Sequence, residues 1–265
     1  MNYKSSLDKI LTDGKTMILA YDHGIEHGPT DFNEKNVDPS YIMEIAEKGK
    51  FNAIVFQKGI AEKYYNGKVP LILKVNGKTN LTSGDPISLQ NCSVEYAISL
   101  GAVAIGYTIY PGSIYERVMF KEFGKIQEKA REYGLAVIAW VYPRGSNIKN
   151  ETSKDIVAYA ARVGLELGAD MVKIKYTGDP ESFRWAVKSA GKTKVVMSGG
   201  PKTQTVKDFL LQVKGVIDAG GAGVAVGRNV WQSENPLEIS FALRKLIFEN
   251  KNINEVISEL TGDKS

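Results

Sequence analysis

The sequence predicts a single α/β domain, residues 1–265, folded as a (β/α)8 or TIM barrel, and three observations lead to this prediction. Short apolar segments rich in Val, Ile and Ala recur along the chain, and continuous apolar runs are typical of strands covered on both faces of a parallel sheet. Helical patterns separate most of these segments. Eight β/α units in about 250 residues match this barrel, with a doubly wound open sheet as the main alternative.

The predicted strands are spread evenly over the chain. They span residues 17–22, 53–57, 70–75, 102–110, 136–143, 171–177, 194–200 and 221–229. The connection between the second and third strands, "IAEKYYNGK", leaves room for only one or two helical turns and is the weakest unit. No Pro/Gly/Ser-rich linker or break in composition indicates a second domain.

Apolar stripes at helical spacing predict the helices before the sixth and eighth strands. The stripes consist of Ile156, Ala160, Val163 and Leu167, and of Val206, Phe209, Leu210, Val213 and Ile217. Thr152 and Asp155 have the spacing of a capping box at the start of the first of these helices. Asp179 precedes Pro180, which predicts a helix that begins with a capping side chain and a proline at its first position.

Composition and charge exclude several classes of protein. The 34 basic and 30 acidic residues leave a net charge of +4 that is dispersed along the chain, which argues against a nucleic-acid-binding arm or a membrane-binding tail and suits a small anionic substrate. The longest apolar run is too short to cross a bilayer, and the N-terminus lacks the pattern of a signal peptide. Cys92 is the single cysteine, so we expect a buried thiol in a cytoplasmic protein.

Polar residues stand where the predicted strands end, and the carboxyl ends of parallel strands carry the site in folds of this kind. The first strand ends in Asp22, the second in Gln57, and the third carries Lys74. Later strand ends carry Trp140, Tyr142 and Arg144, then Lys173 and Lys175, then "SGGPK", and finally "GRN".

Lys173 and Lys175 lie two residues apart on the sixth predicted strand, so their side chains should share a face. A buried ammonium group, or one beside another cation, tends to lose its proton and becomes a nucleophilic amine that can form a Schiff base with a carbonyl substrate. The alternative is an edge strand whose lysines both reach solvent. The other polar strand ends favour the reactive amine, but the spacing does not decide which lysine carries it.

A phosphate site is predicted after the seventh and eighth strands. Ser198, Gly199 and Gly200 follow the seventh strand, and Gly227 and Arg228 end the eighth. Glycines let the backbone approach an anion, free N–H groups bind phosphate, and TIM barrels often hold phosphate at these two loops. The alternative is that these glycines only turn the chain.

Tyr142 and Asp22 are candidate proton carriers, since a tyrosine near a cationic lysine can have a lowered pKa. Taken alone, Tyr142 is better explained by ordinary aromatic packing, and Asp22 by a salt bridge or a cap of the next turn. His23 and His27 are the only histidines, too few for a three-histidine zinc site, and the glycines beside them argue against a regular helix. Metal-assisted chemistry is therefore disfavoured, and the absence of phosphate-loop and dinucleotide motifs gives nucleotide binding no support. No cofactor is expected.

Over roughly residues 15–235 the sequence resembles the archaeal-type class I fructose-bisphosphate aldolases. The resemblance lies in "ILAYDHGIEHGP", "VFQKGIAEKYY", "GYTIYPGS", "YPRG", "KIKYTGDP", "MSGGPKT" and "GVAVGRNVWQ". It implies a TIM barrel that assembles into a homo-oligomer, commonly a decamer of two pentameric rings. It also implies reversible, metal-independent cleavage of fructose 1,6-bisphosphate to dihydroxyacetone phosphate and glyceraldehyde 3-phosphate in glycolysis and gluconeogenesis.

The same resemblance implies roles for individual residues. Lys173 would form the Schiff base, Tyr142 would donate and accept the proton, and Asp22 would assist proton transfer. Residues implied to contact substrate are His23 and His27 at the rim, Trp140, Arg144 and Lys175, and, for the phosphate of the ketone half, Ser198, Gly199, Gly200, Gly227 and Arg228. An iminium at Lys173 would draw electrons from the C3–C4 bond, and the resulting enamine would be protonated through Tyr142.

Two other functions stay open at the level of sequence. A sister lysine aldolase or transaldolase-like synthase, such as one making a dideoxy-aminoheptulosonate precursor, would share the aspartate, the tyrosine and the lysine. A phosphosugar-binding or isomerising barrel would bind phosphate without a covalent step. The contexts "YPRG" and "IEHGP" favour the sugar bisphosphate enzyme, and a non-enzymatic scaffold gives no reason for so many polar strand ends.

Overall fold

A computed structural model describes residues 6–261 of the chain. Within these residues, eight parallel strands close into a barrel in the order β1-β10-β9-β8-β7-β6-β3-β2, while β4 and β5 pair separately and antiparallel. The strands are β1 (Thr16–Ala20), β2 (Ala53–Gln57), β3 (Leu71–Lys74), β4 (Asn76–Gly77), β5 (Leu89–Gln90), β6 (Ala102–Ile109), β7 (Ala136–Val141), β8 (Met171–Ile174), β9 (Lys194–Ser198) and β10 (Gly223–Val226). The predicted barrel is confirmed, and the open sheet is wrong.

Helices follow the barrel strands and cover the outside of the barrel. They are α1 (Gly24–His27), α2 (Pro39–Lys48), α3 (Lys58–Tyr64), α4 (Val94–Ser99), α5 (Glu116–Glu132), α6 (Lys154–Glu166), α7 (Pro180–Ser189), α8 (Val206–Asp218), α9 (Arg228–Trp231), α10 (Pro236–Ile247) and α11 (Ile253–Thr261), with 3-10 helices at Ser6–Ile10 and Gly28–Asp31. The short second unit is confirmed, since α3 has seven residues. Residues 1–5 and 262–265, which the single-domain prediction includes, lie outside the described residues.

The barrel has two apolar layers because side chains alternate along each strand. In β1, Met17 and Leu19 pack outward against the helices, whereas Ile18 and Ala20 face the barrel interior. The outer layer holds most of the large buried side chains, and the inner layer fills the barrel. Every site residue that continues the inward series of its strand is therefore directed to the mouth of the barrel.

The structure corrects three local predictions. The capping box at Thr152 is wrong, because α6 begins at Lys154 with Ser153 in the capping position and no side-chain capping bond. The buried face of α6 is also shifted, and it consists of Val157, Ala158, Ala160, Ala161 and Gly164. The antiparallel pair β4–β5 was not predicted, since strands of two residues have no period to detect.

The predicted cap of α7 is confirmed. The Asp179 carboxylate accepts from the backbone N–H groups of Glu181 and Ser182, and Pro180 holds the first helical position. No helix among residues 6–261 combines the length and the apolar character that crossing a membrane requires.

Candidate active site

Strand periodicity explains why polar side chains converge at the carboxyl end of the barrel. Ile18 and Ala20 face the interior of the barrel, and the next inward position in the chain is Asp22. The same step of two residues leads from Ile72 to Lys74, from Trp140 to Tyr142, from Met171 to Lys173, from Val196 to Ser198 and from Ala225 to Gly227.

These side chains surround a cavity of about 320 Å³. The sequence-predicted site residues that line it are Asp22, His23, His27, Trp140, Tyr142, Arg144, Lys173, Lys175, Ser198, Gly199, Gly200, Gly227 and Arg228. The structure thus brings all of them together. Sequence reasoning named Lys74 only as a polar strand end, and it left out six further polar lining residues, which are Glu26, Lys78, Ser88, Thr108, Tyr110 and Glu151.

Lys173 is buried, with 4% of its surface exposed. Burial lowers the pKa of its amine to about 8; the charge of Asp22 opposes this shift, whereas those of Lys74 and Arg228 add to it. A substantial fraction of Lys173 is therefore the uncharged, nucleophilic amine near neutral pH. The sequence predicts that the charge of Lys175 repels that of Lys173. The cations that lower the pKa of Lys173 are instead Lys74 and Arg228.

Lys175 lies beyond the end of β8, which stops at Ile174. Its ammonium pairs with Glu151, whose second carboxylate oxygen accepts from Arg144 Nε at 3.0 Å. Arg144 also lies 3.6 Å from Glu26. Both lysines line the same cavity, as their spacing predicts, but β8 ends between them, and the Lys175 charge is compensated at the mouth of the cavity.

Asp22 remains ionised although it is buried. Burial raises the pKa of its carboxyl group, but the charges of Lys173 and Lys74 oppose this effect, and the pKa lies below its ordinary value. The imidazole of His23 is instead uncharged near neutral pH, because burial lowers the pKa of His23 to about 4. The site therefore presents a carboxylate and a neutral imidazole, whose Oδ1 and Nδ1 atoms lie 3.8 Å apart.

The Tyr142 hydroxyl donates to Ser198 Oγ at 3.1 Å. Burial raises the pKa of Tyr142 strongly, and neither this hydrogen bond nor the charge of Arg144 compensates. The prediction that the pKa of Tyr142 is lowered is wrong, because burial destabilises the phenolate more than the nearby cation stabilises it. Tyr142 therefore enters the reaction cycle as a protonated donor.

The ring of Trp140 lies near two of the cations. Its ring centroid is 5.1 Å from Lys173 Nζ and 5.8 Å from Lys74 Nζ, within cation–π distance of both. Gly106 of the neighbouring strand makes room for the ring, since a Cβ atom there would lie 2.3 Å from it. The indole N–H of Trp140 is buried and has no protein acceptor within the described residues.

The predicted phosphate loops need their glycines. A Cβ atom on Gly227 would lie 2.6 Å from the Ala20 carbonyl oxygen, and Gly200 adopts a positive φ of 62°. Asn229 holds the loop after β9, because its amide donates to the Gly199 carbonyl oxygen at 2.9 Å. Nε of Arg228 is buried without a partner in the described part of the chain, which leaves a donor for an anion.

The loop that carries both histidines forms a single turn of helix, α1, despite its flanking glycines. The prediction that these glycines prevent a helix is wrong at this length, since one turn needs only residues 24–27. His27 Nδ1 lies 2.6 Å from Asp31 Oδ2, so this histidine has a partner at the rim of the site. Residues 6–261 contain no group of three or more His, Cys, Asp or Glu side chains arranged to hold a metal ion.

Cys92 lies outside this cavity. Its thiol is buried, and burial raises its pKa. The expectation of a buried thiol is confirmed.

A closed barrel with a buried, partly neutral lysine beside a carboxylate and a tyrosine hydroxyl defines an aldolase-type enzyme that works through an amine. Residues 16–233 match the family model described as DeoC/LacD family aldolase, and the chain belongs to this family.

Curated relatives are similar over nearly their whole length. The class 1 fructose-bisphosphate aldolase of Thermoproteus tenax is 58% identical over 92% of this chain and 94% of its own. The class 1 fructose-bisphosphate aldolase of Halobacterium salinarum is 47% identical over 95% and 97%. A solved archaeal fructose-1,6-bisphosphate aldolase with its catalytic lysine bound to the carbinolamine intermediate is 57% identical, with a TM-score of 0.90 over 93% of this chain and 99% of that one. The resemblance read from the sequence is confirmed.

Proposed function

We propose that this chain is a class I fructose-bisphosphate aldolase, a lyase of glycolysis and gluconeogenesis that cleaves fructose 1,6-bisphosphate reversibly into dihydroxyacetone phosphate and glyceraldehyde 3-phosphate. The observation that carries the proposal is the buried amine of Lys173 at the cavity. The relatives at 58% and 47% identity support the substrate, since both are fructose-bisphosphate aldolases.

The reaction begins when the neutral Lys173 amine attacks the C2 carbonyl of the open-chain sugar and forms a carbinolamine. Loss of the carbinolamine hydroxyl as water needs a proton, which the Tyr142 hydroxyl is able to supply. The iminium then accepts the electrons of the C3–C4 bond as the C4 hydroxyl gives its proton to the Tyr142 oxygen, which restores the phenol, and the Asp22 carboxylate assists this transfer. Glyceraldehyde 3-phosphate leaves, the enamine takes a proton through Tyr142, and water releases the ketone phosphate.

The anionic ends of the substrate fit two parts of the cavity. Backbone groups of the loops after β9 and β10, together with Arg228, bind the phosphate of the ketone half; the residues concerned are Ser198, Gly199, Gly200, Gly227 and Arg228. His23 and His27 lie at the rim beside them, and Trp140 lines the wall. Arg144 and Lys175 at the mouth bind the second phosphate, which competes with Glu151 for their charges. Holding both ends aligns the reacting carbons with Lys173.

We also propose a homo-oligomer, a decamer of two pentameric rings, that works in the cytoplasm with each subunit folded as one barrel domain. Its support is the family resemblance and the exposed aromatic side chains of Tyr159 on α6 and Trp185 on α7, which are 66% and 48% exposed. Exposed apolar surface of this kind is typical of subunit contacts.

Reductive trapping tests the proposed function. Borohydride added with dihydroxyacetone phosphate should reduce the Schiff base, and peptide mass spectrometry should find the added mass on Lys173. The variant Lys173→Met should take up no label. The variant Lys175→Met should still be labelled at the same concentration of dihydroxyacetone phosphate, because this lysine binds the second phosphate, which this ligand lacks, and does not form the bond.

Three results would contradict the proposal. An unlabelled wild-type chain favours a phosphosugar-binding barrel without a covalent step, and label on Lys175 transfers the role to the other lysine. Labelling of Lys173 with no cleavage of fructose 1,6-bisphosphate favours the sister synthase. Turnover of both substrates is therefore measured beside the trapping.

A further inference from the structure

Lys74 is the second lysine of the barrel interior. Among residues 6–261, only Lys74 and Lys173 are buried lysines, with 5% and 4% of their surfaces exposed. They come from β3 and β8, which are not neighbours in the barrel. Their ammonium groups nevertheless approach the same ring of Trp140, at 5.8 and 5.1 Å. The two charges therefore share one water-poor enclosure.

The ammonium of Lys74 is held in place by its own strand end. Its Nζ donates to the Asn76 carbonyl oxygen at 3.1 Å, and the amide of Gln57 donates to the same oxygen at 2.9 Å. The side chain of Asn76 is itself fixed, because it donates to the carbonyl oxygens of Ser88 and Thr108 at 3.0 and 2.9 Å. No comparable hydrogen bond holds Lys173 within the described residues, so the two lysines differ in how firmly each is anchored.

The charges in the enclosure also separate the two lysines. Besides the two lysines, the titratable and charged groups that line the cavity are Asp22, His23, Glu26, His27, Lys78, Tyr110, Tyr142, Arg144, Glu151, Lys175 and Arg228. Burial lowers the pKa of Lys74, but the charges of Asp22 and Glu26 both raise it. Burial lowers the pKa of Lys173 as well, and Asp22 and Glu26 again oppose the shift, but there the charges of Lys74 and Arg228 add to the lowering. Both tyrosines are protonated, since burial raises the pKa of each.

Neither lysine has a carboxylate oxygen within 4.0 Å in the described part of the chain. Asp22 acts on both from farther away. One buried carboxylate cannot compensate two buried ammonium groups, and the less anchored one is the more easily deprotonated.

We propose that Lys74 is a positioning residue of the aldolase, whose fixed positive charge increases the fraction of Lys173 in the uncharged form that attacks the carbonyl. The proposal rests on the proposed function, because it needs Lys173 as the nucleophile. Lys74 acts through Lys173 and forms no bond to the substrate. The proton that Lys173 releases leaves through the open mouth of the cavity, while Lys74 retains its own and balances Asp22.

The test measures the charge state of Lys173 directly, without substrate. Wild type, Lys74→Met and Lys74→Gln are labelled with trace acetic anhydride between pH 6 and 10, and peptide mass spectrometry quantifies acetylation of Lys173. Both variants remove the charge, and the glutamine keeps a donor for the Asn76 carbonyl oxygen. Lys68→Met is the matched control, because Lys68 is 59% exposed and pairs with Glu47 outside the cavity.

We expect a labelling midpoint near pH 8 for wild type and Lys68→Met. In both Lys74 variants the midpoint should rise by about one pH unit, which lowers the neutral fraction of Lys173 at pH 7 about tenfold. The acid limb of kcat/KM should move with it, whereas a merely structural role would lower the rate without moving the midpoint.

An unchanged midpoint in a folded Lys74 variant overturns the inference. Borohydride trapping of the same samples keeps this failure distinct from failure of the proposed function. If wild type is trapped on Lys173 and the midpoints coincide, only the role of Lys74 is lost. If wild type is not trapped at all, the aldolase itself is lost.

Discussion

At the scale of single residues, burial decides the role of Tyr142. Its hydroxyl lies next to Ser198, and its raised pKa keeps the proton on the oxygen at any pH at which the protein works. A donor of this kind suits the dehydration of the carbinolamine, where the leaving hydroxyl needs a proton. The surroundings of Tyr142 do not stabilise the phenolate that this donation leaves, so in the proposed reaction it readily takes a proton back from the C4 hydroxyl.

The variant Tyr142→Phe tests this role. It keeps the ring and removes the donor, so we expect kcat to fall by about 10²–10⁴-fold with a much smaller change in KM. Stopped-flow measurement of cleavage at saturating fructose 1,6-bisphosphate provides both constants. Tyr65→Phe is the control, since its hydroxyl donates to the Val69 carbonyl oxygen away from the cavity. Equal kcat values for the two variants would contradict the role.

Residues on strands could be predicted, while their charge states could not. Asp22, Lys173 and Ser198 can be recognised in the sequence, because they are polar side chains at the ends of apolar runs and such runs indicate the barrel strands. The choice between Lys173 and Lys175 depends on where β8 ends, and the ladder stops one residue before Lys175. Lys74, the second buried lysine near Lys173, comes from β3. No pattern in a single sequence relates two strands that are distant in the chain.

At the scale of elements, the segment from α1 to the following 3-10 helix connects the rim to the phosphate loops. Asp31 Oδ2 accepts from His27 Nδ1 at 2.6 Å and from Arg228 Nη1 at 3.3 Å. Gln232 donates to the Asp31 backbone carbonyl at 2.7 Å. Asp31 is not among the cavity-lining residues, so it acts on the substrate only through the side chains that it orients.

The variant Asp31→Asn should therefore weaken binding more than catalysis. It removes the charge that orients Arg228, and a charge-assisted hydrogen bond contributes about 1.5–3 kcal/mol when fully protected. Since Asp31 is 20% exposed, we expect a smaller effect, a rise in KM of about 5- to 30-fold, with kcat changed less than threefold. Steady-state kinetics with fructose 1,6-bisphosphate measure this difference.

The matched control is Asp218→Asn, at the far end of α8, where the carboxylate is 45% exposed and pairs only with Lys214 among the described residues. It should leave both constants unchanged. A fall in kcat without a rise in KM for Asp31→Asn would mean that Asp31 serves the chemistry and not the phosphate.

The elements that sequence reasoning missed are the short ones. Helix α1 and the pair β4–β5 have four and two residues each, too few for a hydrophobic period. Yet α1 carries His27, which holds the rim in place, and β4 carries Asn76, which holds Lys74 in place. Tertiary contacts stabilise them, such as the hydrogen bonds from Asn76 to the carbonyl oxygens of Ser88 and Thr108, and such contacts exist only once the barrel has closed.

At the scale of the whole molecule, closure of the barrel is what brings the first and last strand ends together. β1 pairs with β10 in parallel, with Thr16 opposite Gly223 and Leu19 opposite Val226. This register places Asp22 and the Gly227–Arg228 turn at the same edge, although they are some two hundred residues apart in the chain. The geometry of the site therefore depends on the pairing of β1 with β10, which we call the seam.

Gly223 is the tightest point of the seam. It adopts a φ of 139°, and a Cβ atom there would lie 1.9 Å from the Thr16 carbonyl oxygen. Because backbone occupies that space, Gly223→Ala has to displace β1 from β10. We expect a loss of about 2–4 kcal/mol in the free energy of unfolding, and a melting temperature lower by roughly 5–15 °C in a scan at fixed rate.

Gly124→Ala is the matched control for this prediction. Gly124 lies within α5, and a Cβ atom there would meet nothing within 4 Å. Alanine in an open helical position should stabilise the chain by about 0.5–1 kcal/mol, so the two identical substitutions should move the melting temperature in opposite directions. Circular dichroism measures both melting temperatures. Equal values for the two variants would mean that the seam accommodates a methyl group and that closure at Gly223 does not limit the stability of the barrel.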